Sequence, residues 1–262
     1  MTAMLLAGPT ETDVRAALGA VVDPELDEPI TDLGFVRSLT VTGSAVEVHL
    51  RLPTSFCAPN FAWLMCADAH DAVSAVPGVG RVVVELDDHH DSDLINRGLA
   101  AGAGYRGTFG HEAEESLDEL RATFQRKAHT AAMERALTAL LRADRSRTEA
   151  DVHRLTLGDL PTGAPTTAAL LRRRATLGLP TDDAAPVLVA ADGTPPAPAE
   201  AALFLRKARS VRISVDGNAH FCRGLLATRY PGAEADQTHR SSVDDVPLPG
   251  PTRPTIPLEV LS

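Results

Sequence analysis

The chain has 262 residues, 44% hydrophobic and 23% charged, enough for one large globular domain or two small ones. A formal net charge of -10 argues against a nucleic-acid or anionic-membrane partner, because neither surface attracts an acidic protein. Aromatic residues make up only 4%, so cores must be built from Leu, Val and Ala, and three cysteines are too few and odd in number for a disulfide framework. Such a cysteine count suits a reducing cytoplasm. The N-terminal residues carry no basic leader and too short an apolar run for a signal peptide. No stretch approaches the roughly 18 apolar residues of a membrane span. The expectation is a soluble cytoplasmic protein.

Residues 10–90 read as one unit. Thr10 and Thr12 can cap a first helix with Val14, Ala17, Leu18 and Val21 on its apolar face, ended at Asp23-Pro24-Glu25. Two alternating segments, 35–42 and 45–52, flank Gly43-Ser44 and predict a β-hairpin. The loop Leu52-Pro53-Thr54-Ser55-Phe56-Cys57-Ala58-Pro59-Asn60 leads into a helix over 60–76, stopped by Pro77-Gly78. Residues 82–86 are a buried strand. The order α-β-β-α-β predicts a small sandwich with its helices on one face of a sheet.

Residues 91–110, rich in Gly and Ala, read as a transition. Residues 112–143 predict one long helix, with Glu112, Glu114 and Glu115 at its start and Arg135, Arg142 and Arg145 near its end, to suit the helix dipole. It would pack on the first unit or on a partner. Beyond it, 152–157, 187–189 and 211–215 read as strands. Residues 166–177, 200–209 and 218–228 read as helices, the first capped by Thr166 or Thr167 and ended by Gly178. The expected class is α/β (α+β): a small α-β-β-α-β domain over 10–90, a helical and mixed α/β extension over 91–230, and a Pro-rich tail over 231–262 that cannot fold alone.

Cys57 is the most informative residue. It stands between a strand and a helix, where free backbone N–H groups can lower a thiol pKa and expose the thiolate to a metal or an electrophile. Together with Asp23-Pro24-Glu25, Asp32-Leu33-Gly34 and Thr54-Ser55-Phe56-Cys57, in this order and spacing, the first third of the chain resembles the metal–sulfur cluster assembly domain of the bacterial PaaD and SufT proteins. Family members typically carry a Cys-Pro pair in the loop, whereas here Ala58 stands between Cys57 and Pro59.

The resemblance implies a maturation factor for iron–sulfur or other iron proteins. Cys57 would be the reactive or metal-binding group, supported by Asp23, Glu25, Asp32 and Thr54. The cargo would be iron or an iron–sulfur cluster, held transiently, and the partner a client metalloprotein. PaaD-type proteins accompany di-iron oxygenases, which makes an oxygenase component a candidate client. One thiolate cannot fill the four positions of a cluster. A homodimer, a client or a second thiol such as Cys222 must complete it.

Blander readings stand beside these. Asp23 before Pro24 and Asp32 before Gly34 are ordinary turn residues. Cys66, inside the apolar face of its helix, reads as core. His220 and Cys222 would lie about 200° apart on a regular helix and could not share one metal there. Asp87, Asp88, His89, His90, Asp91 and Asp93 form a ligand-rich run that reads best as a solvated strand-end loop, and His49 and His70 read as structural. The segment 102–107 is Gly-rich but has no phosphate-loop Lys. A thiol enzyme would need a base, and no His is assigned near Cys57, so the chain reads as a non-enzyme. The remaining alternative is an interaction module or chaperone-like accessory subunit that has lost metal chemistry.

Overall fold

The structure is a computed structural model that describes residues 8–110 and 117–238. It is α+β, as expected, with a small sheet domain followed by long helices. The first helix, α1 (Glu11–Leu18), is capped by a reciprocal pair: Thr10 accepts from the Asp13 N–H, and Asp13 accepts from the Thr10 N–H. It ends at Leu18 rather than at Asp23, leaving Val21 buried just outside the helix. A two-residue pair of strands follows, β1 (Val22–Asp23) against β2 (Glu28–Pro29).

The predicted hairpin is β3 (Val36–Thr42) and β4 (Ala45–Arg51), antiparallel. After helix α2 (Pro59–Ser74), strand β5 (Val82–Asp87) returns parallel to β4. Val46, Val48 and Leu50 pair with Val82, Val84 and Leu86. The period of two along β4 puts Val46, Val48 and Leu50 inward. They meet Leu18, Met65, Cys66, Ala69 and Val73 in the first core. Cys66 is fully buried, and burial pushes its thiol up to about 12. It is a core residue, as its helix position predicts.

Residues 91–110 are not a transition but two helices, α3 (Ser92–Ala100) and α4 (Gly104–Phe109). Gly98 permits their contact, since a Cβ there would meet the Thr108 hydroxyl at 2.1 Å. The long helix, α5 (Leu117–Ala143), is present. The expected acidic start at Glu112, Glu114 and Glu115 lies outside the described residues. Helix α5 packs on the first unit through Phe124, edge-on to Phe61 at 5.0 Å, and through Arg121, which binds Asp68 with two 2.8 Å hydrogen bonds.

The extension departs most from the sequence reading. Residues 152–157 and 187–189 are not strands. Val152–Arg154 is a 3₁₀ turn, and a single bridge joins Thr156 to Pro186. The two segments do meet, with the Val187 N–H on the Leu155 carbonyl and the Leu157 N–H on the Ala185 carbonyl, each at 2.9 Å. Pro186 offers no N–H, and Asp159 turns Thr156 into a second capped 3₁₀ helix, so no ladder propagates. Helix α6 (Pro165–Thr176) starts one residue early on Pro165, with no side-chain cap from Thr166 or Thr167.

The predicted strand over 211–215 is instead the middle of α7 (Ala201–Arg229), which fuses the two expected helices. Ala201, Ala208 and Val215 are buried at seven-residue spacing, as are Leu205, Ala219 and Leu226 at multiples of seven. Burial at that period, with Arg212 paired to buried Glu134 on α5, outweighs a propensity cost of a few tenths of a kcal/mol for each β-branched residue. Ala201, Leu205 and Ala208 belong to a second core with Met133, Leu137 and Leu170. Ala219 and Leu226 belong to the first. One helix therefore spans both. Past it, 231–238 docks on the sheet domain: Asp236 pairs with Arg51 at 2.5 Å, and the Thr238 N–H reaches the Asp32 carbonyl at 2.9 Å. The remainder of the expected tail lies outside the described residues.

Among the described residues no helix is long and apolar enough to cross a membrane.

Candidate functional site

Cys57 ends the loop between β4 and α2, half-exposed against the first core. Ala58 is the residue before α2, and Pro59 opens the helix at its first position, where a missing N–H costs nothing. Ala58 offers no side-chain cap, so the inserted alanine leaves the helix start to the loop itself. Thr54 sits under the thiol, its hydroxyl 3.5 Å from Cys57 Sγ, and also accepts the Phe56 N–H at 3.2 Å.

Two residues not singled out for this site hold the loop. His89 is buried, with Nδ1 accepting the Asp91 N–H at 3.0 Å. That fixes the tautomer, so Nε2–H donates to the Cys57 carbonyl at 2.8 Å. The strand-end run is therefore not wholly a solvated loop. A His does touch Cys57, but at its backbone, and its ring is committed to that hydrogen bond. The other brace is Arg229, at the end of α7. Its guanidinium donates to the Leu52 carbonyl at 3.1 Å, to Ser55 Oγ at 2.8 Å and to the Asp88 carbonyl. Asp88 itself takes a left-handed φ of 54° to present that carbonyl. The crowding of turn-forming and ligand-type residues at 87–91 was the only sequence signal for His89, and nothing local marked Arg229.

Helix α7 also brings Cys222 to this place. Cys222 lies two turns before Arg229 on the same helix face, half-buried against the first core. Its thiol is pushed up to about 12, first by burial and then by the negative charges of Asp23, Cys57 and Glu25. Each of these three groups therefore lies within electrostatic reach of Cys222. Asn218, one turn earlier, donates to Glu25 at 3.2 Å. Arg223 donates to the Asp32 carbonyl at 2.6 Å and pairs with Glu28. Gly34, at φ 77°, lets the helix approach, since a Cβ there would meet Leu226 at 3.3 Å and Gln237 at 3.0 Å. His220 points to solvent, away from Cys222 on the helix.

The acidic residues divide. The Asp23 carboxylate is buried and accepts the Glu25 and Leu26 N–H groups, both at 2.9 Å. Burial raises its pKa to about 6. It is a turn-former that also faces Cys222. Glu25 is exposed beside α7. Asp32 contributes mainly its backbone carbonyl, which anchors Arg223 and Thr238. Among the described residues no three His, Cys, Asp or Glu side chains converge as a ready metal site. Two thiols, with two carboxylates near them, are what the chain itself supplies.

Beside this site, the end of α1 and the β1–β2 turn form a cleft of about 630 Å³ with α5 and α6, lined in part by Asp23, Asp27, Asp68, Arg121 and Arg173. Arg173 binds Asp27 at 2.6 Å, so two of the cleft's guanidinium groups are already neutralised.

Comparison with known proteins concerns the sheet domain. The sequence profile of the family described as "Iron-sulfur cluster assembly protein" matches residues 11–85. An "Iron-sulfur cluster carrier protein" of Mycobacterium bovis is 38% identical over 80 residues, 30% of this chain and 21% of that protein. Proteins of the same description from Mycobacterium tuberculosis and Mycobacterium leprae are 38% and 34% identical over 80 and 82 residues. The chain thus spans about a fifth of the length of these relatives, and the matched part is the sheet domain with the Cys57 loop. Over residues 11–85 the α-β-β-α-β unit is thus similar to iron–sulfur cluster assembly and carrier proteins.

Proposed function

We propose that this chain carries iron or an iron–sulfur cluster transiently on Cys57 and Cys222 and passes it to a client metalloprotein. The observation that carries the reading is the placement of Cys222 on a helix from outside the matched domain, between Asn218, which donates to Glu25, and Arg229, which donates to Leu52 and Ser55 of the Cys57 loop. Iron binding displaces the proton that burial holds on the Cys222 thiol, and the nearby carboxylates favour an incoming cation. Two thiolates leave a cluster half-ligated. That suits a cargo that must leave again. In this reading Thr54 steadies Cys57, while His89 and Arg229 fix its loop against α7.

The client we favour is a component of a multicomponent di-iron oxygenase, a reading supported by the PaaD-like motif set. Client metallation in cells expressing wild type, Cys57→Ala or Cys222→Ala tests the assignment. Both variants are expected to leave the client iron-poor, and full metallation in Cys57→Ala removes the proposal.

A second reading, an accessory module without metal chemistry, draws on one observation: the Asp23 carboxylate is spent on two turn amides. Client binding by the chain with unchanged client iron content in both Cys variants is its expected signature.

A further inference from the structure

We propose that the cleft between the sheet domain and helices α5 and α6 is the docking site for the chain's own segment over residues 241–250, held there as an intramolecular strap. The proposal stands apart from the carrier reading and involves no thiol.

At about 630 Å³ the cleft falls within the range of roughly 300 to 1,000 Å³ usual for binding pockets. Its apolar lining includes Leu64, Phe124, Ala128 and Val22, the last 37% exposed to solvent. Its polar lining is rich in donors. Arg121 and Arg173 are paired with Asp68 and Asp27. Arg172 is exposed and has no ion pair among the described residues, and the Gln125 side chain has no hydrogen bond among them either. An apolar cleft with an unpaired guanidinium and a free amide suits an apolar segment that brings a carboxylate and spare carbonyls.

The chain supplies such a segment, and the place where it leaves the sheet domain selects it. The Thr238 N–H donates to the Asp32 carbonyl at 2.9 Å, and the Asp32 N–H donates at 3.0 Å to the carbonyl of Pro29, a cleft residue. Six residues of extended chain span about 20 Å, which brings Asp244 and Asp245 within reach of the cleft. Val246-Pro247-Leu248-Pro249 follows, alternating apolar side chains with prolines, whose missing N–H groups leave carbonyls that need only donors. The pattern matches the lining: carboxylates for Arg172, carbonyls for Gln125, and apolar side chains for Phe124 and Val22.

The tether favours this copy of the segment over any other. The chain has a net charge of -10, so a second chain or a separate acidic peptide approaches against repulsion. A segment joined through a few residues is present at a local concentration on the order of millimolar, and it loses no further translational freedom on docking. Docked there, it bridges the β1–β2 turn to α5 and α6, beside the Arg173–Asp27 pair that already joins the turn to α6.

Amide exchange of the full chain, followed over residues 19–24 of the cleft wall, tests the proposal. An Asp244→Arg, Asp245→Arg double variant and Arg172→Glu should each exchange there about threefold faster than wild type while keeping its circular dichroism. The three changes combined should restore most of the protection, because the charges are then swapped. A labelled peptide of residues 241–250, followed by fluorescence anisotropy, should bind the double variant about tenfold more tightly than wild type, whose cleft is already filled. Adding Arg172→Glu should abolish that gain. Equal exchange in all four chains overturns the proposal, as does peptide binding indifferent to Arg172→Glu. In sedimentation velocity a wild-type monomer supports the intramolecular strap. A wild-type dimer that the double variant dissociates gives the cleft to a second copy's segment and overturns it.

Discussion

His89 donates its Nε2–H to the backbone carbonyl of Cys57 at 2.8 Å, while its Nδ1 is occupied by the Asp91 N–H. The hydrogen bond ties the thiol-bearing loop to the end of β5, 32 residues away. Replacing His89 by Ala orphans a carbonyl in a partly buried place and is expected to cost about 1 to 3 kcal/mol of stability. The change should appear first as faster amide exchange over residues 52–58. His70, half-exposed on α2, is the control. Equal exchange in His89→Ala and His70→Ala would refute the bracing role.

Arg229 is expected to matter for its shape as well as its charge. Its fork spans the Leu52 carbonyl, Ser55 Oγ and the Asp88 carbonyl at once, and a lysine cannot reproduce three such contacts from one nitrogen. Arg229→Lys should therefore recover less than half of the loss caused by Arg229→Ala, measured by urea unfolding. A double-mutant cycle with Ser55→Ala should give a coupling of about 1 kcal/mol. Zero coupling would show that the Ser55 contact contributes nothing.

Much of the sheet domain was legible because its signals are local. The Thr10 cap, the Gly43 turn, the alternation of Val46, Val48 and Leu50 and the Pro77-Gly78 stop each act within a few residues. The Asp23-Pro24-Glu25, Asp32-Leu33-Gly34 and Cys57 motifs also located the loops that meet. What stayed hidden was carried by distant partners. Val211, Ile213 and Val215 look like a strand until Glu134, 78 residues before Arg212, is seen to fix them in a helix. Arg229 is an unremarkable arginine until the helix is known to be continuous, because only then does it arrive at Ser55 and Asp88 together. The expectation that Cys222 joins Cys57 rests on counting ligands, and nothing local in the sequence shows that α7 lays Cys222 against the same core as Cys57.

Glu134 has no exposure to solvent and accepts hydrogen bonds from Arg209, Arg212 and Thr138. It is the fixed point between α5 and α7. Glu134→Ala removes one partner of a buried ionic group and should cost about 3 kcal/mol, somewhat relieved because Arg209 keeps Glu149 and Arg212 keeps Asp216. Asp68→Ala, at the half-exposed pair with Arg121, should cost no more than about 1 kcal/mol. Denaturant midpoints of the two variants check the ranking, and equal losses would refute it.

Asp23 and His129 oppose each other in acid. His129 has no solvent exposure, and burial lowers its pKa from 6.5 to about 4. Between pH 6.5 and 4 the unfolded chain takes up a proton that the folded chain refuses, so stability falls with pH across that window, by ~3 kcal/mol. Asp23 has its pKa raised from 3.8 to about 6, mainly by burial. Between pH 6 and 3.8 the folded chain takes up a proton that the unfolded chain does not, so stability rises as pH falls, again by ~3 kcal/mol. The two nearly cancel. Asp23→Asn keeps an oxygen for the Glu25 and Leu26 amides and removes the buried charge. The variant should be more stable than wild type at pH 7.5, lose that advantage by about pH 4, and show the acid sensitivity of His129 uncovered between them. Urea unfolding at pH 7.5, 6 and 4.5 measures this, and an advantage that stays constant with pH would mean that Asp23 does not titrate in this window.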